Sequence, residues 1–118
     1  MTLLTFQTTV TGDVAVVALS GELDVAGAGL LEHELDRILA DHGPSALVLD
    51  LSGLEFMDST GLRLVVLADQ RSRAENRTFA VVRGPVDVHR VFEITRMTDR
   101  IRFLDSAAEA GDLGGPAA

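Results

Sequence analysis

The chain contains no cysteine, which excludes a disulfide framework, a thiolate nucleophile and any sulfur-ligated metal. Lysine is absent too: all ten basic residues are arginine, so neither Schiff-base chemistry nor a lysine cradling a nucleotide phosphate is available. Positive charge is scarce altogether, 10 basic against 18 acidic residues for a formal net charge of −8. Nucleic acid and anionic membrane surfaces need basic side chains to neutralise phosphate, so both are poor partners; a basic protein is easier to accommodate. No apolar run approaches the roughly 20 residues that span a bilayer. Met1-Thr2-Leu3-Leu4-Thr5 lacks the positive leader and apolar stretch of a secretory signal, and the expected location is the cytoplasm.

What is present suits one domain: 118 residues, 47% hydrophobic. Leu3–Val10 and Val14–Ser20 are apolar, β-branched runs around Thr11-Gly12-Asp13, expected to pair as an antiparallel hairpin. Asp24 is placed to cap a helix reaching to about His42, with Leu31, Leu35 and Ile38 as its apolar stripe, Glu32, Glu34, Asp36 and Arg37 as its wet side, and Gly43-Pro44 as its stop. Gly27 and Gly29 weaken its first turns by roughly 1 kcal/mol each, which points to a mobile start or to something approaching closely. Ala46–Leu51, between Pro44-Ser45 and Ser52-Gly53, reads as a buried strand. A helix follows, beginning at Asp58, Ser59 or Thr60. Its residues Leu62, Val65 and Val66 form one apolar set and Leu64, Leu67 and Ala68 another, so one can face the core and the other a neighbouring helix or a partner. Thr78–Val82 reads as a strand, Val86 to about Thr95 as a helix with Val88, Val91 and Phe92 inward, and Ile101–Leu104 as a last strand. Ser106 and Glu109 have capping-box spacing for a short closing helix, and Gly111–Ala118 reads as a disordered tail. A hairpin followed by alternating strands and helices implies a mixed sheet with helices packed on it.

Few residues suggest catalysis. His33, His42 and His89 lack metal-ligand spacing and are expected on the solvated surface. Gly27-Ala28-Gly29 lacks the third glycine of a dinucleotide loop. No nucleophile, base and orienting acid assemble, and no cofactor is implied. Ser59 stands out instead as a small hydroxyl between a buried strand and an apolar helix; on its own it reads as a helix N-cap worth about 1 kcal/mol.

Phe56-Met57-Asp58-Ser59-Thr60-Gly61-Leu62, with the strand before and the helix after, resembles the central signature of STAS domains of the anti-sigma-factor antagonist type. Gly21-Glu22-Leu23-Asp24 and Val91-Phe92-Glu93-Ile94-Thr95 are further matches, in order, from about Thr5 to Glu109. The resemblance implies an α/β STAS fold in a domain of residues 1–110: a single mixed sheet of about four to five strands with about four helices, followed by a tail at 111–118. It implies a regulatory binding protein rather than an enzyme. The unphosphorylated form would bind a serine-kinase anti-sigma factor and free the sigma factor; the kinase would phosphorylate Ser59 and end binding; a serine phosphatase would reset the switch. The family sets the acceptor directly after the aspartate, hence Ser59 rather than Thr60, and sets an aspartate at the place of Asp24 on the partner face. Asp58, Ser59, Thr60, Gly61 and Leu64 complete that expected face, on a monomer or weak dimer without cofactor or metal. A phosphate, carrying about −1.5 to −2 charges, would be tolerated beside free amides at a positive helix end. Asp50 invites comparison with a receiver phospho-aspartate, but that chemistry wants an acidic metal pair and a late lysine, and the chain has no lysine. The alternative within the same family is a docking subunit of a lipid-transport ATPase or stress-sensing assembly, with Ser59 unmodified.

Overall fold

The computed structural model of the chain describes residues 2–113. Its first two runs of β-branched residues form strands β1 (Thr5–Thr11) and β2 (Val14–Leu23), paired antiparallel from Thr5 opposite Ser20 to Thr11 opposite Val14. Helix α1 (Val25–Ile38), strand β3 (Ala46–Met57), helix α2 (Ser59–Ala74), strand β4 (Thr78–Val82), helix α3 (Val86–Ile94) and strand β5 (Phe103–Leu104) follow. Short 3-10 helices occupy Met97–Asp99 and Ala107–Asp112. The sheet order is β1-β2-β3-β4-β5, with every pair after the hairpin parallel. Among the described residues the expected mixed sheet thus has five strands, with three α-helices and two 3-10 helices.

Alternation along β3 divides the interior. Leu47, Leu49 and Leu51 point to one face, where Leu31 of α1, Val65 of α2 and Phe92 of α3 meet them in the main core. Ala46 and Val48 point to the other, where a smaller cluster with Val14, Ala80 and Val82 is closed by Ala110 from the last 3-10 helix. All three α-helices therefore cover the same face.

Four local expectations are corrected. Strand β3 continues past Ser52-Gly53 to Met57, because β2 runs alongside it and absorbs the irregularity in register shifts between Ala18 and Ser20 and between Gly21 and Glu22. Helix α1 ends at Ile38 rather than near His42: Leu39 caps it, and Asp41, His42 and Gly43 turn the chain through φ of 50°, 76° and 55°. Glu34 is not on the wet side but buried, accepting from Thr8 Oγ1 at 2.5 Å and from Arg37 Nε and Nη2 at 2.8 Å. The Arg37 hydrogen bonds, helped by Thr8 and outweighing desolvation, lower its carboxyl to about 2. His89 is also buried rather than solvated, edge-on to Phe103 with ring centroids 4.9 Å apart, whereas His33 and His42 are exposed.

The two readings of the α1 glycines resolve differently. A Cβ on Gly27 would stand 2.8 Å from Leu4 Cβ, so close approach explains that position; at Gly29 nothing lies within 4 Å. Of the tail read at 111–118, Gly111 and Asp112 still belong to the closing 3-10 helix, and 114–118 lie outside the described residues.

Candidate functional site

Two parallel strands end side by side, and each passes directly into a helix. Leu23 at the end of β2 is paired with Met57 at the end of β3, and Asp58 N donates to Leu23 O at 3.3 Å. The next residue in each strand is an aspartate with extended backbone that caps a helix. Asp24 Oδ1 accepts from Gly27 N at 3.0 Å, and Asp58 Oδ1 accepts from Thr60 N at 2.9 Å and Gly61 N at 3.1 Å. Parallel pairing therefore brings both caps to one end of the sheet, a proximity that their separation in sequence conceals.

Asp58, not Ser59, is the N-cap of α2. Ser59 is the first residue of the helix; it is exposed, and its hydroxyl makes no hydrogen bond among the described residues. The expectation of free amides around it also needs correction. Asp58 occupies those of Thr60 and Gly61, and Leu62 N donates to Asp58 O at 3.0 Å. The helix end remains positive, but of its first-turn amides only that of Ser59 is left without an acceptor among the described residues.

Gly61 and Leu64 present little to a partner. Gly61 is buried, and a Cβ there would come within 2.7 Å of Leu23 O and of Met57 Cγ, so its contribution is to let α2 lie close against the end of β2. Leu64 is buried and borders, with Leu35 and Leu39 of α1, a groove of about 200 Å³ between the two helices. The second apolar set on α2 thus serves mainly the neighbouring helix, with Leu67 its exposed member at 43%. Thr60 and Asp24 are half-buried.

Two exposed apolar residues escaped the sequence reading. Val25 directly follows Asp24 and is 72% exposed; Phe56, two residues before Asp58, is 47% exposed. Phe56 lies inside the matched motif, so the available signal was a large apolar side chain where a turn was expected. With Asp24 and Asp58, they give this end of the sheet an anionic and apolar character. Asp50 is turned to local use, accepting from Ser52 N at 3.0 Å and Ser52 Oγ at 2.7 Å. Among the described residues no group of three or more His, Asp or Glu side chains could hold a metal ion, and no helix is long and apolar enough to cross a membrane.

A family model described as STAS domain matches residues 5–110. The anti-sigma-F factor antagonist RsfB of Mycobacterium tuberculosis is 37% identical over 73 residues, 62% of this chain and 59% of that protein. The chain thus spans less than two thirds of that relative's length. The crystal structure of an anti-sigma factor antagonist from Mycobacterium paratuberculosis superposes with a TM-score of 0.83 at 28% identity, covering 94% of this chain and 93% of that one. The Bacillus cell fate determinant SpoIIAA, solved in its phosphorylated form, is similar in fold, with a TM-score of 0.73 at 22% identity over 92% of this chain and 97% of that one.

Proposed function

Because the chain belongs to the STAS domain family, we propose that it is an anti-sigma-factor antagonist switched by phosphorylation of Ser59. In its unmodified form it binds a serine-kinase anti-sigma factor through the end of the sheet where Asp24, Asp58 and Ser59 lie, and so releases a sigma factor. The kinase then transfers the γ-phosphoryl group of ATP to Ser59 Oγ, ADP leaves, and the complex dissociates; a serine phosphatase restores the hydroxyl. The protein itself is a binding partner and substrate, not a catalyst.

The observation that carries this reading is the state of Ser59: an exposed, unbonded hydroxyl at the first position of α2, directly after the capping aspartate. A kinase can reach it without unfolding anything. A dianion there adds to the charge of Asp58 and suits the positive helix end, so it changes the surface while the fold persists. The names of the relatives support the antagonist role, and the phosphorylated form of SpoIIAA supports a modification on this fold.

The test is intact-mass measurement after incubation with serine-kinase anti-sigma factors and ATP, followed by peptide mapping. One phosphoryl group should appear, on Ser59, and Ser59→Ala should abolish it while still binding the kinase. Label on Thr60, or undiminished labelling of Ser59→Ala, would overturn the assignment. A partner that binds wild type and Ser59→Asp equally would favour the unmodified docking subunit instead.

A further inference from the structure

A phosphate on Ser59 would find few donors in the backbone. The amides of Thr60 and Gly61 are held by Asp58 Oδ1 and that of Leu62 by Asp58 O, which leaves Ser59's own N–H as the one first-turn amide without an acceptor among the described residues. The Asp58 carboxylate that holds this place also repels a second anion. A cation close by would offset that repulsion.

Helix α2 carries a suitable cation one turn on. Arg63 follows Ser59 by four residues on α2 and so shares its face, and because side chains on a helix lean toward its N-terminus, a guanidinium at this position can reach the turn that carries Ser59. Arg63 is exposed. It is also the one arginine of α2 without an ion pair among the described residues: Arg71 is held by Asp36 at 2.6 Å and Glu75 at 3.3 Å, and Arg73 by Asp69 at 3.0 Å. Glu32 of α1 borders the same small groove as Thr60 and Arg63, yet no ion pair joins it to Arg63. An anion N-terminal to a cation at this spacing is the favourable order, and a guanidinium can meet two phosphate oxygens at once.

We propose that Arg63 is the built-in counter-ion of a phosphate on Ser59, an inference that rests on Ser59 being the acceptor. Modification then acts twice. It adds negative charge beside Asp58, and it draws into an internal pair the α2 guanidinium that an acidic group of a partner could otherwise use. Any contact that depends on Arg63 in the unmodified protein is withdrawn without a change of backbone.

The experiment installs phosphoserine at position 59 during translation, so that no kinase is needed, and follows the second ionisation of the phosphate by phosphorus NMR at about 0.15 M salt, where charges beyond about 8 Å are screened. Loss of the pair in Arg63→Gln should raise that pKa by roughly 0.2 to 0.4. Arg63→Lys should keep part of the effect, and Arg71→Gln, about three turns from Ser59 along the helix, should leave the titration where it is in wild type. Equal titration in wild type and Arg63→Gln would overturn the proposal. So would equal shifts in Arg63→Gln and Arg71→Gln, which would reduce the effect to net charge. Because the phosphate is installed directly, a kinase that ignores Ser59 would sink the proposed function and leave this result standing.

Discussion

Gly61→Ala sets two effects of opposite sign against each other at the start of α2. Within a helix the change ordinarily stabilises by about 1 kcal/mol, because alanine has less backbone freedom to lose. Here a Cβ would stand 2.7 Å from Leu23 O, 2.7 Å from Met57 Cγ and 2.8 Å from Leu23 Cγ. The first of these is backbone, and the other two belong to side chains that are themselves buried, Leu23 at 0% and Met57 at 4% exposure, so none can swing aside. Overpacking of this kind costs about 1 to 3 kcal/mol. The net expectation is a loss of roughly 0 to 2 kcal/mol, or up to about 10 °C in Tm for a chain of this size. Gly29→Ala supplies the comparison, since nothing lies within 4 Å of its Cβ and helix propensity acts alone. That variant should gain about 0.5 to 1 kcal/mol. Urea unfolding followed by far-ultraviolet circular dichroism measures both. A Gly61→Ala protein as stable as Gly29→Ala would refute the close seating of α2 on the end of β2, and with it the fixed relation between the two aspartate caps.

Asp24→Ala should lower affinity for the anti-sigma factor while costing the fold only about 1 kcal/mol as a lost cap, whereas Leu51→Ala, fully buried in β3, should lose roughly 2 to 5 kcal/mol and affect binding only through unfolding. Calorimetric titration beside thermal melts separates them; if Asp24→Ala unfolds as readily as Leu51→Ala while its folded fraction binds normally, Asp24 is structural only. Glu34 sets an acid limit: its carboxyl is lowered from 4.5 to about 2, so its contribution is complete above about pH 4.5 and is lost as pH falls through about 2. With the Arg37 side chain 63% exposed, that contribution is about 1 kcal/mol rather than the full value of the shift. The stability difference between wild type and Glu34→Gln, from urea midpoints, should therefore shrink steadily below pH 4.5; a constant difference down to pH 2 would contradict the assignment. Ser59→Asp should weaken binding incompletely, one charge replacing about two, with a melting temperature near that of wild type.

How much of this was legible in the sequence depended on how local the deciding physics was. The β1–β2 hairpin, β4 and α3 follow from alternation, a turn glycine and an apolar stripe, all contained within a few residues. Strand β3 was cut short at Leu51 because Ser52-Gly53 looks like a turn; only pairing with β2 shows that those two residues sit inside a strand. Glu34 looked solvated because its partner Thr8 comes from strand β1, and His89 because its neighbour Phe103 lies across the fold. The site was legible in part. Ser59 and the two aspartates stood out, but whether Asp58 or Ser59 caps α2 turns on an angle, and the adjacency of Asp24 and Asp58 turns on the register of Leu23 with Met57. Gly61 and Leu64 were placed on the partner face because the motif contains or adjoins them; both are buried in this structure.

The length of β3 has a mechanical consequence. Its pairing with β4 ends at Asp50 opposite Val82, while its pairing with β2 continues to Met57, so the last stretch of both strands projects as a narrow ribbon past the rest of the sheet. A ribbon of two strands is more strongly twisted than a broad sheet. The helix caps Asp24 and Asp58 are mounted together on its tip, hydrogen-bonded across Leu23 O. Because Leu23, Leu54 and Met57 of this ribbon are buried in the main core, its tip is anchored rather than free, and both caps and Ser59 are held at one fixed bearing toward solvent.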